Sequence, residues 1–291
     1  MACPLCDNEA FAPSWVGTTR YNGSEFEYVE CKSCKSLYCI PMPDAATLAR
    51  MYSKEYFKNE NDEFVLPHDP DDRFAKPAAW LERNPPGLFL DYGCGAGELL
   101  EKAQNSGWQC AGVEFDADVA KTVTNRLNIR VVTETKDLGA DFKADALHLG
   151  DVIEHLTDLK RQMPEILKLL KPNGVLLAQG PLEANANLFT FLVKTSRGFR
   201  GAPILEMPPF HVLLATAAGQ RKFFERLGLR EIVFKVTEVA HPAPATISLS
   251  DASNPQKMAM FALRRTSQTL TALNRGKWGN RYFYAGRLSQ D

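Results

Sequence analysis

The stretch Leu90–Leu100, LDYGCGAGELL, constrains this chain more than any other. An apolar run ends in a turn with glycines at 93, 95 and 97, and a helical pattern starts at once. Glycine has no Cβ, so such a turn lets a ligand come close to the backbone. A dinucleotide fingerprint places its third glycine one position later. Here that position is Glu98. A carboxylate sits badly beside a pyrophosphate at a helix N-terminus. Glu114 closes the next apolar run, 21 positions after Gly93. A carboxylate there can accept both hydroxyls of a ribose.

The pattern around the turn extends the constraint to the whole fold. Strand-like runs (87–92, 109–115, 129–133, 144–152, 174–180) alternate with helical ones (96–107, 116–127, 158–170). A further helix at 215–228 and strand at 229–236 follow. Asn254 as N-cap with Pro255 at the first helical position predicts a long helix to Gly276. A last strand, 281–288, closes the series. Continuous apolar strands alternating with helices predict a doubly wound, mostly parallel α/β sheet covered on both faces.

A ribose-bearing cofactor without a phosphate suggests S-adenosylmethionine. The ordered motifs LDYGCGAG, GVEFD, GDVIEHLTD and LLKPNGVLLAQGP resemble class I S-adenosylmethionine-dependent methyltransferases. The resemblance covers about residues 73 to 288, and it implies a Rossmann-like, seven-stranded sheet. It also implies that Asp91, Gly93, Gly95 and Gly97 line the methionine side, that Glu114 holds the ribose, and that Phe115 flanks the adenine. Asp151 and Val152 would meet the cofactor from the other side. Relatives often carry a polar residue after the third strand for the adenine amine. Here Thr133 and Glu134 are the candidates, and the contact stays open.

Cysteines crowd the first forty positions. Cys3-x-x-Cys6 and Cys31-x-x-Cys34 are separated by 24 residues. Two such knuckles meeting face to face make a closed tetrahedral zinc site, structural rather than catalytic. Disulfides or reduced, metal-free thiols are the alternatives. Cys39 is expected to pack, not ligate. This N-terminal pattern resembles the zinc module fused ahead of sugar C-methyltransferases and of relatives with unassigned substrates. From its length the chain is expected to do without the large extra C-terminal domain that the sugar enzymes carry.

Methyl transfer to a hydroxyl or acidic carbon needs a base, and histidine suits that task near neutral pH. His211, in MPPFHV, and His155, in IEHL, are the candidates for base or substrate-orienting roles. Both could instead brace a loop. His148 alternates within an apolar strand and is expected in the core; His68 and His241 fall in loops. Tyr52 and Tyr56 could close over the cofactor or simply pack. Arg197 to Arg200 could contact an anionic substrate, but a solvated loop is the expectation.

The domains expected are a zinc module at 1–42, a helix and linker at 43–72, and the methyltransferase domain at 73–291. The net charge is −1, which disfavours nucleic acid as a partner. No apolar run approaches the roughly 20 residues of a membrane span, and no signal pattern opens the chain, so a cytoplasmic location is expected. The partner expected is a small-molecule acceptor, such as a sugar or polysaccharide-pathway metabolite. The competing function is a non-catalytic zinc-containing scaffold that keeps the fold. Oligomeric state has no signal.

Overall fold

The computed structural model describes residues 2–51, 73–239, 253–274 and 277–288. Tyr52, Tyr56, His68, His241 and Gly276 lie outside the described residues. Two compact units emerge. One comprises the described residues of Met1–Pro43, Pro181–Phe223 and Phe234–Tyr282; the other those of Asp44–Gly180, Phe224–Val233 and Phe283–Asp291.

The second unit is centred on the predicted alternation. Strands β4 (Leu88–Tyr92), β5 (Gln109–Val113), β6 (Arg130–Val132), β7 (Ala144–Gly150) and β8 (Leu170–Pro181) pair in parallel in the order β8-β7-β4-β5-β6. Strands β11 (Leu229–Thr237) and β12 (Arg281–Leu288) extend the sheet beyond β8 to seven strands. This is the doubly wound, mostly parallel, Rossmann-like sheet that the alternation predicts. Helices α2 (Ala75–Arg83), α3 (Glu98–Asn105), α4 (Ala117–Leu127), α5 (Leu159–Leu167) and α7 (Ala217–Arg226) connect or flank the strands in sequence. Phe89 and Ala146 from the strands meet Leu99, Leu100 and Ala103 of α3 in one buried cluster with Trp108 and Leu81. The helix α4 begins where Asp116 accepts from the N–H groups of Asp118 and Val119, at 2.9 and 3.1 Å, an ordinary N-cap.

The first unit holds a five-stranded sheet of order β10-β3-β2-β1-β9. Its strands are β1 (Phe11–Tyr21), β2 (Ser24–Cys31), β3 (Leu37–Ile40), β9 (Ile204–Leu205) and β10 (Leu213–Leu214). In β2, Phe26 and Tyr28 are buried while Glu25 and Glu27 are exposed, the period-two alternation of a half-covered strand. The edge strands β9 and β10 come from far along the chain. Leu213 pairs with Tyr38 and Leu214 with Leu37.

Helix α1 (Ala45–Met51) has Asp44 at its start, accepting from the Thr47 N–H at 2.8 Å. Helix α8 (Pro255–Leu273) starts as expected: Asn254 accepts from the N–H groups of Gln256 and Lys257. The expected loop at Arg197–Arg200 is instead the last turn of helix α6 (Leu188–Arg200). Asn187 caps this helix by accepting from the Thr190 N–H at 2.7 Å, and the helix runs on through Gly198 despite glycine's low propensity.

Candidate functional site

The glycine turn sits between β4 and α3. Gly93, Gly95 and Gly97 have φ of 78°, 50° and 75°, in the left-handed region that glycine tolerates. A Cβ at Gly93 would lie 2.8 Å from Val152 Cγ2, and one at Gly97 would lie 2.6 Å from Val123 Cγ1. These two glycines let the loop pack against its own unit. A Cβ at Gly95 would meet nothing within 4 Å, so that face of the loop is open.

Glu114, 7% exposed, ties the turn to the end of β5. Its Oε2 accepts from the Gly95 N–H at 2.8 Å and its Oε1 from the Asp116 N–H at 3.0 Å. An ionised carboxylate has about four acceptor sites, so these bonds leave roughly two for a ligand's hydroxyls. Burial pushes the Glu114 carboxyl above the ordinary glutamate range, partly offset by the N–H groups of Asp116 and Gly95. Phe115 is 61% exposed and meets Tyr92 edge-on at 5.6 Å. Its ring is thus braced on one side and open to a flat ligand on the other.

Asp151 follows β7 with φ of 54°, a left-handed position that aspartate tolerates better than most residues. Its N–H donates to Gln179 O at 3.0 Å, and Arg73 lies 3.9 Å from its carboxylate. Val152 is buried against the Gly93 turn.

Asp91 sits differently from the loop glycines. It is 2% exposed, and its Oδ1 lies 2.8 Å from His148 Nδ1. His148 itself is in the core. The buried pair joins neighbouring strands β4 and β7 beneath the turn, so this carboxylate braces the sheet rather than facing outward.

These elements match known proteins. Residues 67–202 match a family described as a methyltransferase domain. Over that span, just under half of its length, the chain is similar to methyltransferases. A 2-phytyl-1,4-naphtoquinone methyltransferase of Nostoc sp. is 33% identical over 108 residues, covering 33% of this chain and 47% of that protein. A ubiquinone biosynthesis O-methyltransferase of Erwinia tasmaniensis is 31% identical over 107 residues, covering 33% and 44%. The chain thus spans about half the length of the curated relatives it matches. A solved methyltransferase from Archaeoglobus fulgidus is 19% identical, covers 74% of this chain and 91% of its own, and has a TM-score of 0.46.

Outside the methyltransferase match, the first unit gathers the four predicted cysteines. Cys3 Sγ lies 3.6 Å from Cys34 Sγ and Cys6 Sγ 3.5 Å from Cys31 Sγ, and all four lie within 4.8 Å of one another. Thiolates at about 2.3 Å from a tetrahedral zinc lie about 3.8 Å apart, whereas a disulfide needs roughly 2.0 Å. The set fits a metal and does not fit two disulfides. The two knuckles repeat one geometry. The N–H of Asp7 donates to Cys3 O at 2.9 Å, and that of Lys35 to Cys31 O at 3.0 Å. Asp7 and Lys35 have φ of 57° and 63°. Cys34 is pushed down to about 5, first by the Cys3 thiol that donates to it and then by Ser36, while Cys3 is pushed up. Cys39 is buried outside this cluster, and burial raises it to about 12.

His211, also in the first unit, has a partner that sequence reasoning missed. Its Nδ1 lies 2.8 Å from Glu183 Oε2. Its backbone carbonyl accepts from the Tyr28 hydroxyl at 2.7 Å. No fixed spacing links Glu183 or Tyr28 to His211; they are 28 and 183 positions away. His155 lies in the second unit, on a short 3₁₀ turn, Ile153–His155, after β7. Thr133 is half-buried just past β6, and Glu134 pairs with Lys136 at 2.6 Å, so Glu134 is already engaged.

Proposed function

We propose that the chain transfers a methyl group from S-adenosylmethionine to a small-molecule acceptor. One observation carries the reading: Glu114 grips the open glycine turn through Gly95 and keeps acceptor sites for a ribose. Phe115, braced by Tyr92, suits the adenine face. When bound, the cofactor supplies an electrophilic methyl on its sulfonium. Gly93, Gly95 and Gly97 would hold its methionine end, and Asp151 and Val152 would bound the site beside them. Asp91 would act from beneath, by fixing the strand end through His148.

Glu183 would orient the imidazole of His211, which would take a proton from the acceptor. A carboxylate that orients a histidine in this way is a recurrent base arrangement. It favours a hydroxyl or an acidic carbon as the acceptor over a neutral amine. The relatives named for naphtoquinone and ubiquinone support a small organic acceptor; a sugar-pathway metabolite is the other acceptor of this chemistry. His155 would brace the loop after β7. The four cysteines would hold one structural zinc, which favours a reducing compartment such as the cytoplasm.

Calorimetry with S-adenosylhomocysteine tests the cofactor. Turnover assays against catechols, quinols and nucleotide sugars, read as methyl incorporation, then test the acceptor. Cofactor binding without turnover on any of these would favour the non-catalytic scaffold. No cofactor binding at all would sink the methyltransferase reading.

A further inference from the structure

Helices α6 and α8 have their patterning reversed. In an ordinary surface helix the apolar stripe faces the core and the polar face meets water. In α6, Thr190 is the buried residue, and Arg197 donates inward to the carbonyls of Trp15 and Val16, at 3.0 and 3.4 Å. Phe191, Leu192 and Phe199 face out, 62%, 45% and 88% exposed. Their spacing of i, i+1 and i+8 puts them on one helix face. In α8, the buried residues are Arg264, Ser267 and Thr271. Met258 and Leu273 are exposed, Leu273 at 75%.

The two helices pack on each other. Arg264 of α8 lies 4.6 Å over the Phe189 ring of α6. The charge is as one-sided as the patterning. Residues 188–200 and 255–273 contain Lys194, Arg197, Arg200, Lys257, Arg264 and Arg265, and neither segment has an aspartate or glutamate. In a chain of net charge −1 this is a marked local excess. Arg197 and Arg264 are turned inward, but Arg200, Lys257 and Arg265 are exposed.

We infer that the outer face of α6 and α8 docks on an anionic lipid surface. Exposed aromatic and aliphatic side chains beside cations, with no acidic residue, are the composition of an interfacial helix. An apolar face of this kind on a water-soluble surface marks an interaction site. A second copy of the chain fits less well, because two like-charged cationic faces repel when opposed. The inference is independent of the methyl-transfer reading. It requires no helix that spans a bilayer, and no helix among the described residues is long and apolar enough to do so.

The test is flotation of the full chain with vesicles of phosphatidylcholine alone and of phosphatidylcholine mixed with phosphatidylglycerol. Binding should require phosphatidylglycerol and weaken as salt is raised. The double variant Phe191→Ser, Phe199→Ser should lower it by about tenfold or more, as should the triple variant Arg200→Glu, Lys257→Glu, Arg265→Glu. These side chains are exposed, so far-ultraviolet circular dichroism and thermal melting should match the parent. If either variant loses its fold, single Phe199→Ser and Arg200→Glu replacements carry the same test with smaller shifts. Several results would overturn the inference: no vesicle binding, equal binding to neutral vesicles, or binding unchanged in both variants. So would a parent dimer in sedimentation velocity that the phenylalanine variant abolishes, which would make the face a self-association surface. Binding to an oligonucleotide that outcompetes the vesicles would likewise replace lipid with nucleic acid.

Discussion

His211 Nδ1 and Glu183 Oε2 lie 2.8 Å apart, with the imidazole and the carboxylate each about one-third exposed (32% and 40%). The contact ties one nitrogen of the ring to a carboxylate and so orients the imidazole. If this pair removes the acceptor proton, His211→Ala should lower turnover by about 10² to 10⁴. Glu183→Gln should lower it less, by roughly ten- to a hundredfold, because the ring keeps a hydrogen-bond partner of the wrong charge. Both variants should bind S-adenosylhomocysteine as the parent does. Steady-state kinetics with calorimetry check this; a kcat within a few-fold of the parent in both would remove the base assignment.

Glu114 offers a pH signature as well as a mutation. Glu114→Ala should weaken cofactor binding by roughly 1.5–3 kcal/mol, the scale of hydrogen bonds to a charged group. Burial raises this carboxyl above its unfolded value. A group raised in this way contributes stability that is fully present below the unfolded pKa and lost as pH rises through the folded one. Cofactor binding needs the ionised form, so it runs the other way. Affinity should fall as pH drops through the raised value, beginning above the usual glutamate range of about 4.3. Calorimetry across a pH series reads the effect, and Glu114→Gln should flatten it.

Gly97 and Gly95 should separate packing from binding. Gly97→Ala forces a side chain into the left-handed region and against Val123. It should cost about 1–3 kcal/mol of stability, seen in chemical denaturation. Gly95→Ala meets open space, so only backbone strain opposes it, about 1 kcal/mol. Its larger effect should be on cofactor affinity. A Gly95→Ala variant that binds as tightly as the parent would mean that the open face of the loop is not the ligand's.

Metal loss should be felt at His211's segment. Elemental analysis should find about one zinc per chain, absent in Cys31→Ser and Cys34→Ser but retained in Cys39→Ser. Thr216 donates through its hydroxyl to Cys34 O at 2.6 Å and through its N–H to Ser36 Oγ at 3.0 Å. Cys39 N–H donates to Val212 O at 3.0 Å. The segment 211–216, which contains β10, is therefore tied directly to the second knuckle and to β3. Chelation should speed hydrogen exchange across residues 211–216. Unchanged exchange after the metal is removed would show that the knuckle and this strand are held independently.

Much of this molecule was legible in local sequence. The parallel alternation, the glycine turn and the N-cap at Asn254 all follow from rules that act within a few residues. Hydrophobic period, missing Cβ atoms and short side-chain oxygens suffice for them. The cysteine spacing likewise announced two knuckles, because each C-x-x-C is a local turn. Tertiary structure decided the rest. Glu183 and Tyr28 reach His211 across 28 and 183 residues, and Asp91 reaches His148 across 57. No local pattern encodes such pairs; they depend on which strand ends the sheets bring together. The reversed faces of α6 and α8 show the same limit. Periodicity identifies the apolar stripe of a helix, but only packing determines whether that stripe is turned toward the core or away from it.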